Sequence, residues 1–132
     1  MQITKATDAG LRVLMVLAND SPQTRANVPE LAERLGVPRH HLAKVVQQLA
    51  KQGWVTTRRG RTGGLAITDA GRATNATEVL KALEGADPVV DCFDPICPLV
   101  SPGCRLQSLL DEAHRAFLDV LSTQTIEELA GG

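Results

Sequence analysis

Three cysteines, Cys92, Cys97 and Cys104, fall in one short stretch with the spacing Cys-x4-Cys-x6-Cys. Thiolates are soft donors that bind zinc, copper or iron–sulfur clusters. An odd number of thiols with no expected secretion signal makes a poor disulfide framework. A structural zinc site typically wants four ligands in pairs about two to four residues apart. This stretch offers three thiols and no histidine; His114 lies ten residues beyond Cys104. Iron–sulfur clusters accept longer, looped spacings because their ligands reach separate corners of a larger body. The spacing therefore favours an iron–sulfur cluster, with zinc or metal-free redox thiols as alternatives. Three thiols leave one iron in need of a fourth donor. A thiol-based redox enzyme would want a Cys-x-x-Cys pair and a βαβ pattern, and neither is found. No Ser-His-Asp constellation, phosphate loop or metal-hydrolase helix motif stands out either, so catalysis is not expected.

A second chemical feature is basic. Residues 58–64 read RRGRTGG, and the three arginines have no acidic neighbour in sequence. Guanidinium groups on such a tip suit phosphates or an A·T-rich minor groove. The net charge of −1 conceals a division of the chain. Residues 1–75 hold eleven Lys/Arg against five Asp/Glu, a balance of +6, and residues 76–132 hold three against ten, a balance of −7. A basic half neutralises phosphates, and an acidic half must face away from them.

The elements that position these groups follow from periodicity. Residues 7–18 predict an amphipathic helix with Leu11, Leu14, Met15 and Ala18 on one face, a cap at Thr7 or Asp8, and a stop at Asp20, Ser21 and Pro22. Residues 28–35 predict a short helix with Asn27 as N-cap, Pro29 and Glu30 in the first turn, and Gly36 at its end. A third helix opens at Pro38 and closes at Gly53. Leu42, Val45, Val46 and Leu49 form its apolar face, and Arg39, His40, Lys44, Gln47, Gln48 and Lys51 lie largely off it. Two short helices joined by a tight turn, the second with a polar basic face, make a helix-turn-helix. The strands WVTT (54–57) and LAIT (65–68) around the arginine-rich turn add a wing.

Helical character resumes over 69–84. Residues 86–103 contain four prolines, and so long a segment without a core of its own needs something to organise it. A long helix is predicted over 104–121, and its broad apolar stripe predicts packing on a partner chain. Thr125 and Glu128 form a capping box for a last short helix. The expected fold is mainly α: a winged helix-turn-helix over 1–75, then a cysteine-bearing cluster loop and dimerisation helices over 76–132.

Composition narrows the function further. Hydrophobic residues make up 43% and charged residues 22%, ordinary for a globular protein and too apolar for disorder. No apolar run approaches the roughly 18 residues a membrane-spanning helix needs. The N-terminus carries Asp8 and Arg12 within its apolar pattern and lacks a small-residue cleavage site, so no signal peptide is expected. Aromatics are only 2%, which disfavours a base-stacking platform for single strands.

The segments ITKATDAGLR, RRGRTGGL, LEGADPVVDC and CPLVSPGCRL together resemble the iron–sulfur winged-helix regulators. This bacterial family includes nitric-oxide-sensing repressors and cluster-biogenesis regulators, and the resemblance spans essentially the whole chain. The cluster-biogenesis branch uses a histidine three residues after the last cysteine, where this chain has Gln107, a poor iron ligand. The nitric-oxide branch carries an acidic residue early in the first helix, here Asp8. By that resemblance, Asp8 of the partner subunit completes a [4Fe–4S] cluster held by Cys92, Cys97 and Cys104. Arg12, one turn on, is expected to be a charge partner that orients Asp8 or a neighbouring acid. The alternative reading of Asp8 is a helix-start carboxylate stabilised by the helix dipole. Asp91 and Asp94 are further carboxylates close to the cysteines.

The resemblance implies a homodimeric, cytoplasmic repressor on a palindromic double-stranded operator, released when nitric oxide attacks the cluster. A sensor of iron, redox state or cluster supply, with a [2Fe–2S] cluster, and a zinc-stabilised winged-helix module are the alternatives. Base-edge contacts are expected from Arg39, His40, His41, Gln47 and Gln48, since Arg suits guanine and Gln suits adenine. Backbone or minor-groove contacts are expected from Lys44, Arg58, Arg59 and Arg61.

Overall fold

A computed structural model describes residues 2–21, 24–61, 63–85 and 87–131. Pro22 of the expected first-helix stop, Thr62 of the wing tip and Ala86 of the cysteine loop lie outside the described residues. Helix α1 spans Lys5–Asn19, α2 spans Val28–Leu35 and α3 spans Arg39–Lys51. Strands β1 (Val55–Arg58) and β2 (Gly64–Ile67) come next, then α4 (Asp69–Ala73), α5 (Ala76–Glu84), α6 (Arg105–Leu121) and α7 (Ile126–Gly131).

Local chemistry explains the helix-turn-helix. Asn27 accepts the Glu30 N–H while the Glu30 side chain accepts the Asn27 N–H, a reciprocal cap that satisfies two orphan donors of α2. Gly36 ends the helix at φ 64°, a left-handed conformation that other residues adopt at a cost. Val37 then donates to the Ala32 carbonyl at 3.0 Å, and Pro38 caps α3 with its fixed φ. The two helices share a core in which Leu31 and Leu42 are fully buried.

The wing is a two-stranded antiparallel hairpin in register Val55↔Ile67 to Arg58↔Gly64. Its strands begin one residue later at β1 and one earlier at β2 than the sequence predicts. Trp54 is spent on the turn out of α3, its N–H donating to the Leu49 carbonyl. Thr68 is spent on capping α4. Ala26 pairs with Leu65 outside the hairpin, so the segment before α2 holds the wing against the helices.

Two expected boundaries are corrected. Helix α1 starts not at Thr7 but earlier, because the Thr4 hydroxyl accepts the Thr7 N–H at 3.2 Å and serves as the cap. The single helix expected over 69–84 is two. Thr74 and Asn75 are extended, since the Thr74 carbonyl accepts the Ile126 N–H at 2.8 Å and Asn75 bridges Thr125. Asn75 then caps α5 by accepting the Glu78 N–H.

Helix α1 lies at the centre, packed on α3, α5 and α7. Val13, Leu14, Leu49, Val79 and Ile126 are fully buried in one cluster, each such side chain contributing about 1.5–3 kcal/mol of transfer free energy. Helix α6 differs, with no buried residue among those described. Leu106, Leu109 and Val120 are more than half exposed along it.

Candidate nucleic-acid interface and cysteine loop

Burying Leu42, Val45, Val46 and Leu49 turns the opposite face of α3 outward. His40, Lys44, Gln47, Gln48 and Lys51 are exposed there, and Arg39 is exposed at the helix start. Their spacing places them along one side of the helix, one and two turns apart. His41 is different: it is half-buried, and its Nε2 is buried without a hydrogen-bond partner among the described residues.

Arg58, Arg59 and Arg61 are exposed at the wing. The turn between the strands depends on Gly63, where a Cβ would stand 2.2 Å from the Arg58 carbonyl oxygen. Among the described residues, Arg39, Lys44, Arg58, Arg59 and Arg61 make no ion pair, whereas Arg12, Arg34 and Arg72 pair with Asp8, Asp20 and Glu127. Most of the unpaired cations of the basic half thus lie on α3 and the wing, with Lys5 in α1 and Arg25 before α2 besides. The hydrogen bond to Asp20 holds the Arg34 guanidinium above its ordinary pKa, so that cation is committed to structure.

The cysteine loop is a succession of tight turns. Cys97 N–H donates to the Cys92 carbonyl at 3.0 Å, Val100 to Cys97 at 3.0 Å and Cys104 to Ser101 at 3.2 Å. Asp91 Oδ1 accepts the N–H groups of Phe93 and Asp94 at 2.8 and 3.1 Å, an Asx turn that commits this carboxylate to shaping the loop. Cys104 is the N-cap of α6, yet its side chain makes no capping bond. All three thiols are free and half-buried. Desolvation, then the nearby Cys97 and Cys104 thiols and the Asp91 and Asp111 carboxylates, push the Cys92 thiol above its ordinary pKa.

Asp8 sits in the first turn of α1, where its Oδ1 accepts the Arg12 Nε–H at 2.8 Å in an exposed pair. Among the described residues no group of three or more His, Cys, Asp or Glu converges as a ready site for a metal ion, so Asp8 forms no such site with the cysteines of its own chain. The donor types in the loop, three soft sulfurs and no imidazole, fit an iron–sulfur cluster. Gln107 is half-buried in the first turn of α6. His114 lies further along and stacks on Phe117 with ring centroids 6.5 Å apart.

Two residues around these sites escape sequence reasoning. Glu84 Oε1 accepts the Thr4 N–H at 2.7 Å, and the Thr77 hydroxyl donates to the Leu118 carbonyl. The first contact spans eighty positions, beyond the reach of any periodic signal. The second is signalled only by a hydroxyl on a face that would otherwise read as apolar.

Comparison with known proteins agrees with this architecture. Residues 3–132 match the model of the Rrf2 family, described as an iron-dependent transcriptional regulator. The chain is 43% identical over 132 residues to the HTH-type transcriptional repressor NsrR of Streptomyces coelicolor, covering 98% of this chain and 88% of that one. It is 37% identical to the HTH-type transcriptional regulator NsrR of Bacillus subtilis, covering 98% and 90%. Among solved structures it resembles CymR, the global cysteine regulator of B. subtilis (TM-score 0.79, 24% identity, 99% and 97% covered). It also resembles IscR of T. potens (TM-score 0.78, 19% identity, 98% and 85% covered). At such identities the two structures establish the shared fold, a winged helix. The family match across nearly the full length establishes more: the chain belongs to the Rrf2 family of iron-dependent transcriptional regulators.

Proposed function

We propose that the protein is a homodimeric repressor that binds a palindromic operator and senses nitric oxide through a [4Fe–4S] cluster. The observation that carries the reading is the loop holding Cys92, Cys97 and Cys104, three free, half-buried thiols in a chain of tight turns that joins Cys97 N–H to the Cys92 carbonyl at 3.0 Å. The relatives named NsrR and the resemblance of the whole chain to nitric-oxide-sensing repressors support the signal. Cys92, Cys97 and Cys104 hold the cluster, and Asp8 of the partner subunit supplies the fourth donor. When bound, the cluster supplies iron that reacts with nitric oxide.

The chain's own residues do the rest. A carboxylate oxygen is a harder and weaker partner for such iron than a thiolate, so Asp8 would be the most weakly held of the four donors. Arg12, paired to Asp8 at 2.8 Å, would orient the carboxylate. Loss of that tie across the dimer would shift the population to a geometry that misfits DNA. The exposed Leu106, Leu109 and Val120 of α6 supply the apolar face that a second copy covers. In the dimer the two α3 helices enter successive major grooves about 34 Å apart. Arg39, His40, His41, Gln47 and Gln48 are assigned to base edges, and Lys44, Arg58, Arg59 and Arg61 to phosphates or the minor groove. Among the described residues no helix is long and apolar enough to cross a membrane, and a cytoplasmic location fits an operator-binding protein with reduced thiols.

The test is anaerobic titration of the purified protein with nitric oxide, following the visible spectrum and operator binding together. A brown protein whose absorbance and DNA affinity fall in parallel is expected. A colourless zinc protein, or a brown one that keeps its operator under nitric oxide and releases it with iron or redox state, overturns the assignment of the signal.

A further inference from the structure

Glu84, the last residue of α5, reaches across to the start of α1. Its Oε1 accepts the main-chain N–H of Thr4 at 2.7 Å. Thr4 is the N-cap of α1, so this carboxylate holds the residue from which the helix starts. The Thr4 hydroxyl in turn donates to the hydroxyl of Thr7 at 3.2 Å, and Thr7 is fully buried, so the cap that Glu84 holds also satisfies a polar group within the core. One residue earlier, Leu83 lies so close to α1 that a Cβ on Gly10 would stand 2.6 Å from its Cδ1. The end of α5 and the first turns of α1 are therefore in direct contact.

The course of the chain beyond Glu84 links this contact to the cysteines. The backbone turns at Gly85 (φ 82°) and enters the segment that leads to Cys92. Thr4, Glu84, Asp87 and Val89 line one groove with Asp111 and His114 of α6. Asp8 lies one turn beyond Thr4. One carboxylate thus stands between the two segments that carry the assigned ligands, without belonging to either.

We propose that Glu84 is a positioning residue that fixes the first turn of α1, and with it Asp8, against the stem of the cysteine loop. The inference rests on the reading of Asp8 as the donor lent to the partner subunit. Glu84 then ties the loop that holds a subunit's own cluster to the carboxylate which that subunit gives away. It acts as a hydrogen-bond acceptor at a fixed place, not as an iron ligand.

The experiment compares D8A, E84M and E84Q with the wild type in the full-length, anaerobically reconstituted protein. The readouts are visible circular dichroism of the cluster, cluster affinity by competition with an iron chelator, and far-ultraviolet circular dichroism for the fold. Gln keeps an oxygen that accepts the Thr4 N–H, whereas Met fills the space without one. D8A and E84M are expected to share an altered cluster spectrum and to lose affinity by about 10-fold or more, the usual cost of removing an outer-shell partner. E84Q is expected to keep the wild-type spectrum. Should E84M not fold, E84A carries the same comparison. An E84M spectrum like the wild type beside an altered D8A overturns the proposal. An E84Q as altered as E84M also overturns it, since ligation or charge would then matter rather than position. If D8A itself matches the wild type, the assignment of Asp8 fails first and this inference with it.

Discussion

The hydroxyl of Thr77, buried in α5, donates to the main-chain carbonyl of Leu118 in the last turn of α6. Helix α6 has Cys104 as its N-cap at the opposite end. This bond therefore fastens the far end of an otherwise exposed helix to the core. Just beyond, Ile126 donates to the Thr74 carbonyl and buries its side chain, so the clamp lies beside the break between α4 and α5. T77V keeps the shape and removes the donor. It is expected to cost about 0.5–1.5 kcal/mol, the usual net worth of one hydrogen bond, because the Leu118 carbonyl keeps the Ser122 N–H at 3.0 Å. Urea denaturation of the metal-free protein checks the value; an unchanged midpoint contradicts it.

Gly71 is required by space. A Cβ there would stand 2.2 Å from the Trp54 carbonyl oxygen and 2.8 Å from Ile67 Cγ1, at the base of the wing where Thr68 also donates to that carbonyl. Backbone cannot yield as a side-chain end can. G71A is expected to destabilise by about 1–3 kcal/mol, the range for an overpacked core, read as a fall in melting temperature.

The wing arginines are predicted to act through charge. R59A/R61A should flatten the dependence of log affinity on log salt by about 0.9 per lost phosphate contact, close to two units in all. Anisotropy of a labelled duplex at several salt concentrations measures it. A slope equal to that of the wild type removes these residues from the interface.

Glu84 gives stability a pH dependence of known sign. Burial works to raise its carboxyl, but the Thr4 N–H and the Thr7 and Thr4 hydroxyls outweigh it and hold the pKa below the ordinary 4.5. A group depressed in the folded state stabilises above its unfolded pKa and loses that contribution as pH falls through the folded value. The melting-temperature gap between wild type and E84Q should therefore be constant near neutrality and close on acidification below about pH 4.5. A gap that persists unchanged into acid contradicts the assignment.

Legibility from sequence tracks the range of the interaction. The Asn27–Glu30 box and Gly36 are legible because cap and partner lie within one turn. So are the apolar face of α3 and the arginine-rich turn. The start of α1 is misplaced because the apolar rhythm begins after Thr4 and hides a cap that carries no apolar side chain. The break at Thr74 and Asn75 is hidden because Ala76, Val79 and Leu80 read as one continuing stripe, although Asn75 three residues before Glu78 is a local signal. The pairing that imposes this break comes from Thr125 and Ile126, about fifty residues away in sequence, which no local pattern carries. The cysteines are legible by type and spacing. Their mutual influence on Cys92, and the tie from Glu84 to the start of α1, emerge only from the folded chain.

By the proposed function, occupancy of the cysteine loop sets the grip on DNA. The direct measurement is the affinity of one palindromic duplex, chosen from random sequence by the cluster-loaded protein, for that protein and for its metal-free form. Both are assayed anaerobically at the same salt concentration. The loaded dimer is expected to bind at least about tenfold tighter, a coupling of roughly 1.4 kcal/mol. Equal affinities for the two forms would contradict it.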